Sequence, residues 1–136
     1  MKVLSIKEPF ATLIANGKKK IETRSWKTNY RGEMFIHASG KTLAKEILSN
    51  DYIENIIKNM SMNYGNIICR CNLVDCIYMD EKFLKEIKQN SNEYLLGDYK
   101  ICRYAWIIKD VTLIHPIPAK GQLNIWNYYG EYKLKE

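Results

Sequence analysis

The chain has 136 residues, 46% of them hydrophobic and 26% charged, and carries a net charge of +6 from 21 Lys and Arg against 15 Asp and Glu. This composition describes one globular domain with a single core and excludes a disordered or low-complexity chain. No apolar run approaches the roughly 18 residues that cross a bilayer, and the first residues lack the apolar stretch of a secretory signal, so a cytoplasmic protein with no membrane partner is expected.

In chain order, residues 2–6 alternate loosely and predict a short strand. Residues 8–16 predict a helix with Pro9 in its first turn, where a missing N–H costs nothing. Phe10, Leu13 and Ile14 share one face of it, and Gly17 stops it. Residues 18–26 predict a turn running into a strand, residues 30–32 a turn, and residues 33–38 another strand. Residues 41–59 predict a helix, with Asn50-Asp51 as a break that caps a second one. A turn at 64–66 precedes a long strand over 67–78, rich in β-branched residues.

Asp80 is the expected cap of a short helix over 80–88, followed by a polar stretch at 89–93 and a loop over 94–103. Residues 104–115 predict another long strand, ended by Pro116-Ile117-Pro118. The aromatic tail over 121–132 is expected to close a sheet. Strict strand–helix alternation fails after residue 60, so the expected class is α+β, with a curved sheet or small barrel flanked by helices.

Four cysteines, at 69, 71, 76 and 102, lack the spacing of a zinc knuckle. No metal is expected, and the thiols read as reduced, small core residues. Cys69 and Cys71 share one strand face, and Cys76 takes the other unless a bulge intervenes. His37 and His115 stand apart with no acidic ligand pattern and are expected to be structural or surface residues.

The positive balance favours an anionic partner, and 10 Tyr and 3 Trp supply rings that stack on bases. The densest polar cluster runs from Gly17 to Arg24 and holds three lysines, a glutamate, a threonine and an arginine. Arg24 can fork two hydrogen bonds onto a phosphate or carboxylate. A lysine among cations, or desolvated, is a candidate base or nucleophile. A solvated basic turn is the alternative reading of the same residues.

Gly17-Lys18-Lys19-Lys20-Ile21-Glu22-Thr23-Arg24 resembles the G-x-K-x-x-E-x-R signature of the ASCH domain family. Ser5 to Ala11, Gly32 to Ser39, Leu73 to Cys76, Leu96 to Tyr99, Arg103 to Trp106, Pro116 to Gly121 and Ile125 to Asn127 are also similar to that family's blocks. The resemblance spans nearly the whole chain and implies one domain over 1–136. It implies a PUA-like fold: a small, mostly antiparallel β-barrel flanked by helices, with the signature lining a cleft.

Members of the family include RNA-binding coactivator domains, amidohydrolases that deacetylate N4-acetylcytidine without a metal, and proteins that cut RNA. The leading expectation is recognition of RNA or a modified nucleoside through a cationic cleft. Lys19, Glu22 and Arg24 would hold the ligand there, Trp26 would stack on the base, and Ser39 would line the wall. The alternative is an amidohydrolase in which Lys19 is the base, Arg24 holds the oxyanion, and Glu22 or Glu93 moves the proton. A ribonuclease using the same cations ranks third. No cofactor and a monomeric state are expected.

The amidohydrolase members carry Thr where this chain has Glu22, and the adjacent Thr23 points to the opposite strand face. Glu93 is the first candidate for their downstream acid and Asp75 the second. On a regular strand Lys20, Glu22 and Arg24 share a face; Lys19 joins them only from a turn or a bulge. Arg31 and Lys120 are further candidate phosphate contacts, and Tyr30 a further stacking ring.

Overall fold

The computed structural model describes residues 1–136 apart from the side chain of Leu48. The strands are β1 (Lys2–Lys7), β2 (Ile21–Arg24), β3 (Gly32–Ser39), β4 (Asn66–Tyr78), β5 (Tyr104–Pro118) and β6 (Ile125–Asn127). The helices are α1 (Phe10–Ala15), α2 (Asp51–Ile57), α3 (Glu81–Ile87) and α4 (Ser91–Leu95), with a 3-10 turn at Lys45–Ser49 before α2. The strands form one sheet in the order β2-β5-β4-β3-β1-β6, antiparallel except where β1 runs parallel to β3.

The expected α+β architecture is therefore present, as a half-barrel whose edges are β2 and β6. Its curl comes from β4 and β5, whose ladder shifts register between Ile67 and Cys69, Arg70 and Asn72, and Leu73 and Asp75. Such bulges bend and twist the strands that carry them. The shift after Leu73 also returns Cys76 to the cluster that buries Cys69 and Cys71. Burial pushes the Cys69 thiol up to about 12 and the Cys71 thiol upward too, so both act as apolar filling.

The main core joins Leu4 and Ile6 of β1, Met34 and Ile36 of β3, Leu73 of β4 and Trp106 of β5 to Ala11 and Ile14 of α1. Each Leu, Ile and Met side chain among them contributes about 1.5–3 kcal/mol on burial. His37 lies inside and is hydrogen-bonded at both ring nitrogens, to Ser5 Oγ at 3.1 Å and Ala119 O at 2.8 Å. His115 is exposed. No helix is long and apolar enough to cross a membrane.

Four boundaries differ from expectation. Helix α1 starts at Phe10, and Pro9, after a cis peptide bond, is its cap rather than part of its first turn. The side chain that secures this end is the buried Glu8. It accepts hydrogen bonds from Thr12 N at 2.8 Å, from Thr12 Oγ1, and from Asn63 N at 2.8 Å. Residues 41–44 are not helical; Ala44 N is tied instead to Glu8 O at 2.7 Å. Asn50 does cap α2, accepting from Ile53 N at 3.0 Å, as Asp80 caps α3 through Phe83 N at 2.8 Å.

The stretch after α3 contains α4, capped by Asn90, where a polar tail and loop were expected. β5 runs through Pro116-Ile117-Pro118 instead of ending before it. Pro116 falls in the register shift opposite Ile68 and Pro118 is the last residue of the strand. At both positions a missing N–H breaks no regular ladder.

Candidate functional site

The signature segment is shaped by the turn that ends α1. Gly17 takes φ +82°, a value that favours glycine. Lys18 N and Lys19 N then both donate to Leu13 O at 3.0 Å. β2 begins only at Ile21, so Lys19 belongs to the turn and points inward while Lys18 and Lys20 stay exposed. Lys19 is 1% exposed. Its Nζ donates to Leu96 O at 2.6 Å and lies 5.5 Å from the centroid of the Phe10 ring, close enough for a cation–π contact.

Glu22 and Arg24, two apart on β2, share a face and reach the same space. Arg24 Nε lies 3.0 Å from Glu22 Oε2. Its N–H is not aimed at that oxygen, so the buried nitrogen has no hydrogen-bond acceptor among the described residues. Arg24 Nη2 donates to Ser5 O on β1 at 2.6 Å. This contact bridges the opening of the half-barrel, because β2 and β1 lie four places apart in the sheet.

Beneath that bridge is a cavity of about 940 Å³, walled by residues of β1 and β2, by the loop after α4 and by residues 121–124. Lys19, Glu22 and Arg24 all face it, and Lys7, Lys100 and Arg103 add charge at its margin. Burial lowers the Lys19 pKa, with Arg24 acting in the same direction; Glu22 and Glu93 oppose the shift. The site thus combines a desolvated amine, a carboxylate and a guanidinium.

Trp26 and Ser39 also line the cavity. Trp26 is held edge-on to the buried Trp106, with ring centroids 4.7 Å apart, and its carbonyl accepts from Trp106 Nε1 at 3.3 Å. It is therefore both core and wall. Thr23 Oγ1 turns to the loop after α4 and accepts from Asp98 N at 3.1 Å.

Glu93, 5% exposed, sits behind β2. Its two oxygens accept from Lys20 N at 2.8 Å and Ile21 N at 3.3 Å; it is near Lys19 electrostatically but is not part of the cavity wall. Asp75 lies elsewhere, 3.7 Å from Arg31. Arg31, Lys120 and Tyr30 do not line the cavity, and the Tyr30 hydroxyl donates to Glu33 O. The residues that sequence reasoning missed act through their backbone. The carbonyls of Ser5 and Leu96 hold Arg24 and Lys19, and a carbonyl leaves no mark in residue type.

The family model described as "ASCH domain" matches residues 4–129. The chain belongs to the ASCH domain family. It is 25% identical over 130 residues to activating signal cointegrator 1 of Mus musculus and, to the same extent, of Homo sapiens. Those alignments cover 90% of this chain and 21% of each relative, so the chain spans about a fifth of the length of the curated relatives it matches. A crystal structure of an ASCH protein from Zymomonas mobilis superposes with a TM-score of 0.51 at 20% identity. That superposition covers 86% of this chain and 72% of the other. This ASCH domain shares that fold, and its signature residues are the ones around the cavity.

Proposed function

We propose that this ASCH domain binds single-stranded RNA or a modified nucleoside in the cavity between β1 and β2. The observation that carries the reading is the convergence of Lys19, Glu22 and Arg24 on one cavity. The exposed part of the Arg24 guanidinium can donate to an anionic or carbonyl oxygen in the cavity. Lys19 lies beside it as a second donor, and Trp26 offers a ring for stacking. The net charge of +6 favours the same class of ligand.

The test is titration of a labelled single-stranded RNA hexamer, followed by fluorescence anisotropy between about 50 and about 200 mM salt. Binding should weaken with salt, and Arg24→Ala should weaken it by about tenfold or more. Binding that ignores Arg24→Ala would overturn the reading.

A second reading rests on Lys19, whose amine is both desolvated and at the cavity wall. In it, neutral Lys19 takes a proton from water attacking an acyl carbonyl, and Arg24 holds the oxyanion. Glu22 passes the proton on to the leaving amine. The expected conversion is N4-acetylcytidine and water to cytidine and acetate, read by chromatography. Turnover that persists in Lys19→Ala would defeat this mechanism.

A further inference from the structure

β1 is left uncovered along part of one edge, and that edge lies in the cavity. β6 pairs with Lys2, Val3 and Leu4 and no further, because Asn124, the residue that would continue the ladder, turns away with φ +59°. Met1 and Tyr128 exchange both of their main-chain bonds, at 3.1 and 2.9 Å. In an antiparallel ladder every second residue faces the partner strand. Met1, Val3, Ser5 and Lys7 therefore direct their N–H and C=O groups toward the β6 side.

Among the described residues no strand lies opposite Ser5 and Lys7 on that side. Ser5 O confirms the direction, since Arg24 Nη2 reaches it from across the opening. By that parity the Ser5 N–H and the N–H and C=O of Lys7 face away from β3. Outside the ladders they have no main-chain partner among the described residues, and both residues line the cavity.

We propose that this open edge reads a nucleobase: the main-chain groups of Ser5 and Lys7 hydrogen-bond to the Watson–Crick edge of an unstacked base. The proposal rests on the nucleic-acid reading of the cavity and specifies how that cavity selects. Fixed main-chain donors and acceptors suit base edges, which proteins read in single strands whose bases are splayed out. Ser5 and Lys7 are two residues apart, about 6.5 Å along a strand, a span that one base can bridge. An added peptide strand is the other partner of an open edge. It is disfavoured here, because only two residues are free and Lys19 and Arg24 put cationic groups beside them.

Apolar surface for the base faces stands close by. Phe10 and Trp26 are in the wall. Leu123, 89% exposed, projects from the rim beside Asn124. The rim is held in place from below by His37 Nε2 on Ala119 O and by the pairing of β6 with β1. In this binding mode, which excludes the N4-acetylcytidine reading, a base carrying a substituent on its Watson–Crick edge should be rejected, whereas substituents on the opposite edge are not sensed by Ser5 and Lys7.

The test compares a hexauridine RNA with the same RNA made of 3-methyluridine, which is neutral and differs by a methyl on the Watson–Crick edge. Affinity is measured together with the amide proton–nitrogen spectrum of the labelled protein. The expected result is displacement and slowed exchange of the Ser5 and Lys7 amides with hexauridine, and about tenfold or greater loss of affinity on methylation. Hexauridine binding that leaves both amides unmoved would overturn the edge proposal while RNA binding stands. Amide shifts with no effect of methylation would also overturn it, since phosphate or sugar would then occupy the edge. No binding by either RNA would overturn both the edge proposal and the RNA-binding form of the function.

Discussion

The ammonium of Lys19 is anchored on the carbonyl of Leu96, 2.6 Å away, in a part of the fold where the side chain is almost wholly shielded from water. Burial lowers its pKa from the ordinary 10.5, and Glu22 and Glu93 offset only part of that. Between the lowered folded value and 10.5 the unfolded chain binds more protons than the folded one. Stability attributable to Lys19 therefore rises with pH across that window and is complete above 10.5. Thermal melts of the wild type and of Lys19→Met at about pH 7 and about pH 10 should show the wild type gaining on the variant at the higher pH. Other groups titrate in both proteins and cancel in the difference. An unchanged difference would mean that Lys19 is not desolvated.

Arg24 holds two neighbours from one planar group: Glu22 Oε2, 3.0 Å from Nε, and Ser5 O, 2.6 Å from Nη2. Lysine has the charge but not the fork. Arg24→Lys should lose the bridge between β2 and β1 and cost about 1–3 kcal/mol, as for a hydrogen bond from a charged donor. Denaturant unfolding measures it. A variant as stable as the wild type would show that the bridge does not hold the half-barrel.

Glu8 illustrates what residue patterns leave hidden. The signature and its neighbours were legible as a charged turn, and Gly17, Asn50 and Asp80 were legible as helix ends because their local chemistry is short-range. The long strands were legible from β-branched runs, although Pro116 and Pro118 concealed the end of β5. The curl was not legible, because bulges depend on the pairing partner. Nor was the role of Glu8, whose contact with Asn63 spans 55 residues. Glu93 reads as a candidate acid from the sequence, and the bonds from the Lys20 and Ile21 amides to its carboxylate were not legible there.

Glu8 makes a prediction of its own. Its two oxygens receive three donors, from Thr12 N, Thr12 Oγ1 and Asn63 N, with the side chain fully buried. Glu8→Gln replaces one acceptor by an NH2 facing those donors. It should lower stability by about 1–3 kcal/mol, read by chemical denaturation. RNA affinity of the folded variant should be unchanged, since Glu8 is not in the cavity wall. A loss of affinity in fully folded protein would show that the start of α1 shapes the cavity.

The hydrogen bonds around Ser5 have one consistent direction. Ala119 O only accepts, so His37 Nε2 carries a proton and donates to it at 2.8 Å. In the neutral ring Nδ1 then accepts, and Ser5 Oγ donates to it at 3.1 Å. Trp126 Nε1 only donates, and it gives its hydrogen to Ser5 Oγ at 3.0 Å. Ser5→Ala removes the middle of this relay and leaves a buried acceptor on His37 and a donor on Trp126 unpaired. The expected cost is about 1–3 kcal/mol, together with a change in the nitrogen resonances of His37 that reports loss of the fixed tautomer. Retention of both stability and tautomer would mean that Ala119 alone fixes the ring, and that the rim is held without Ser5.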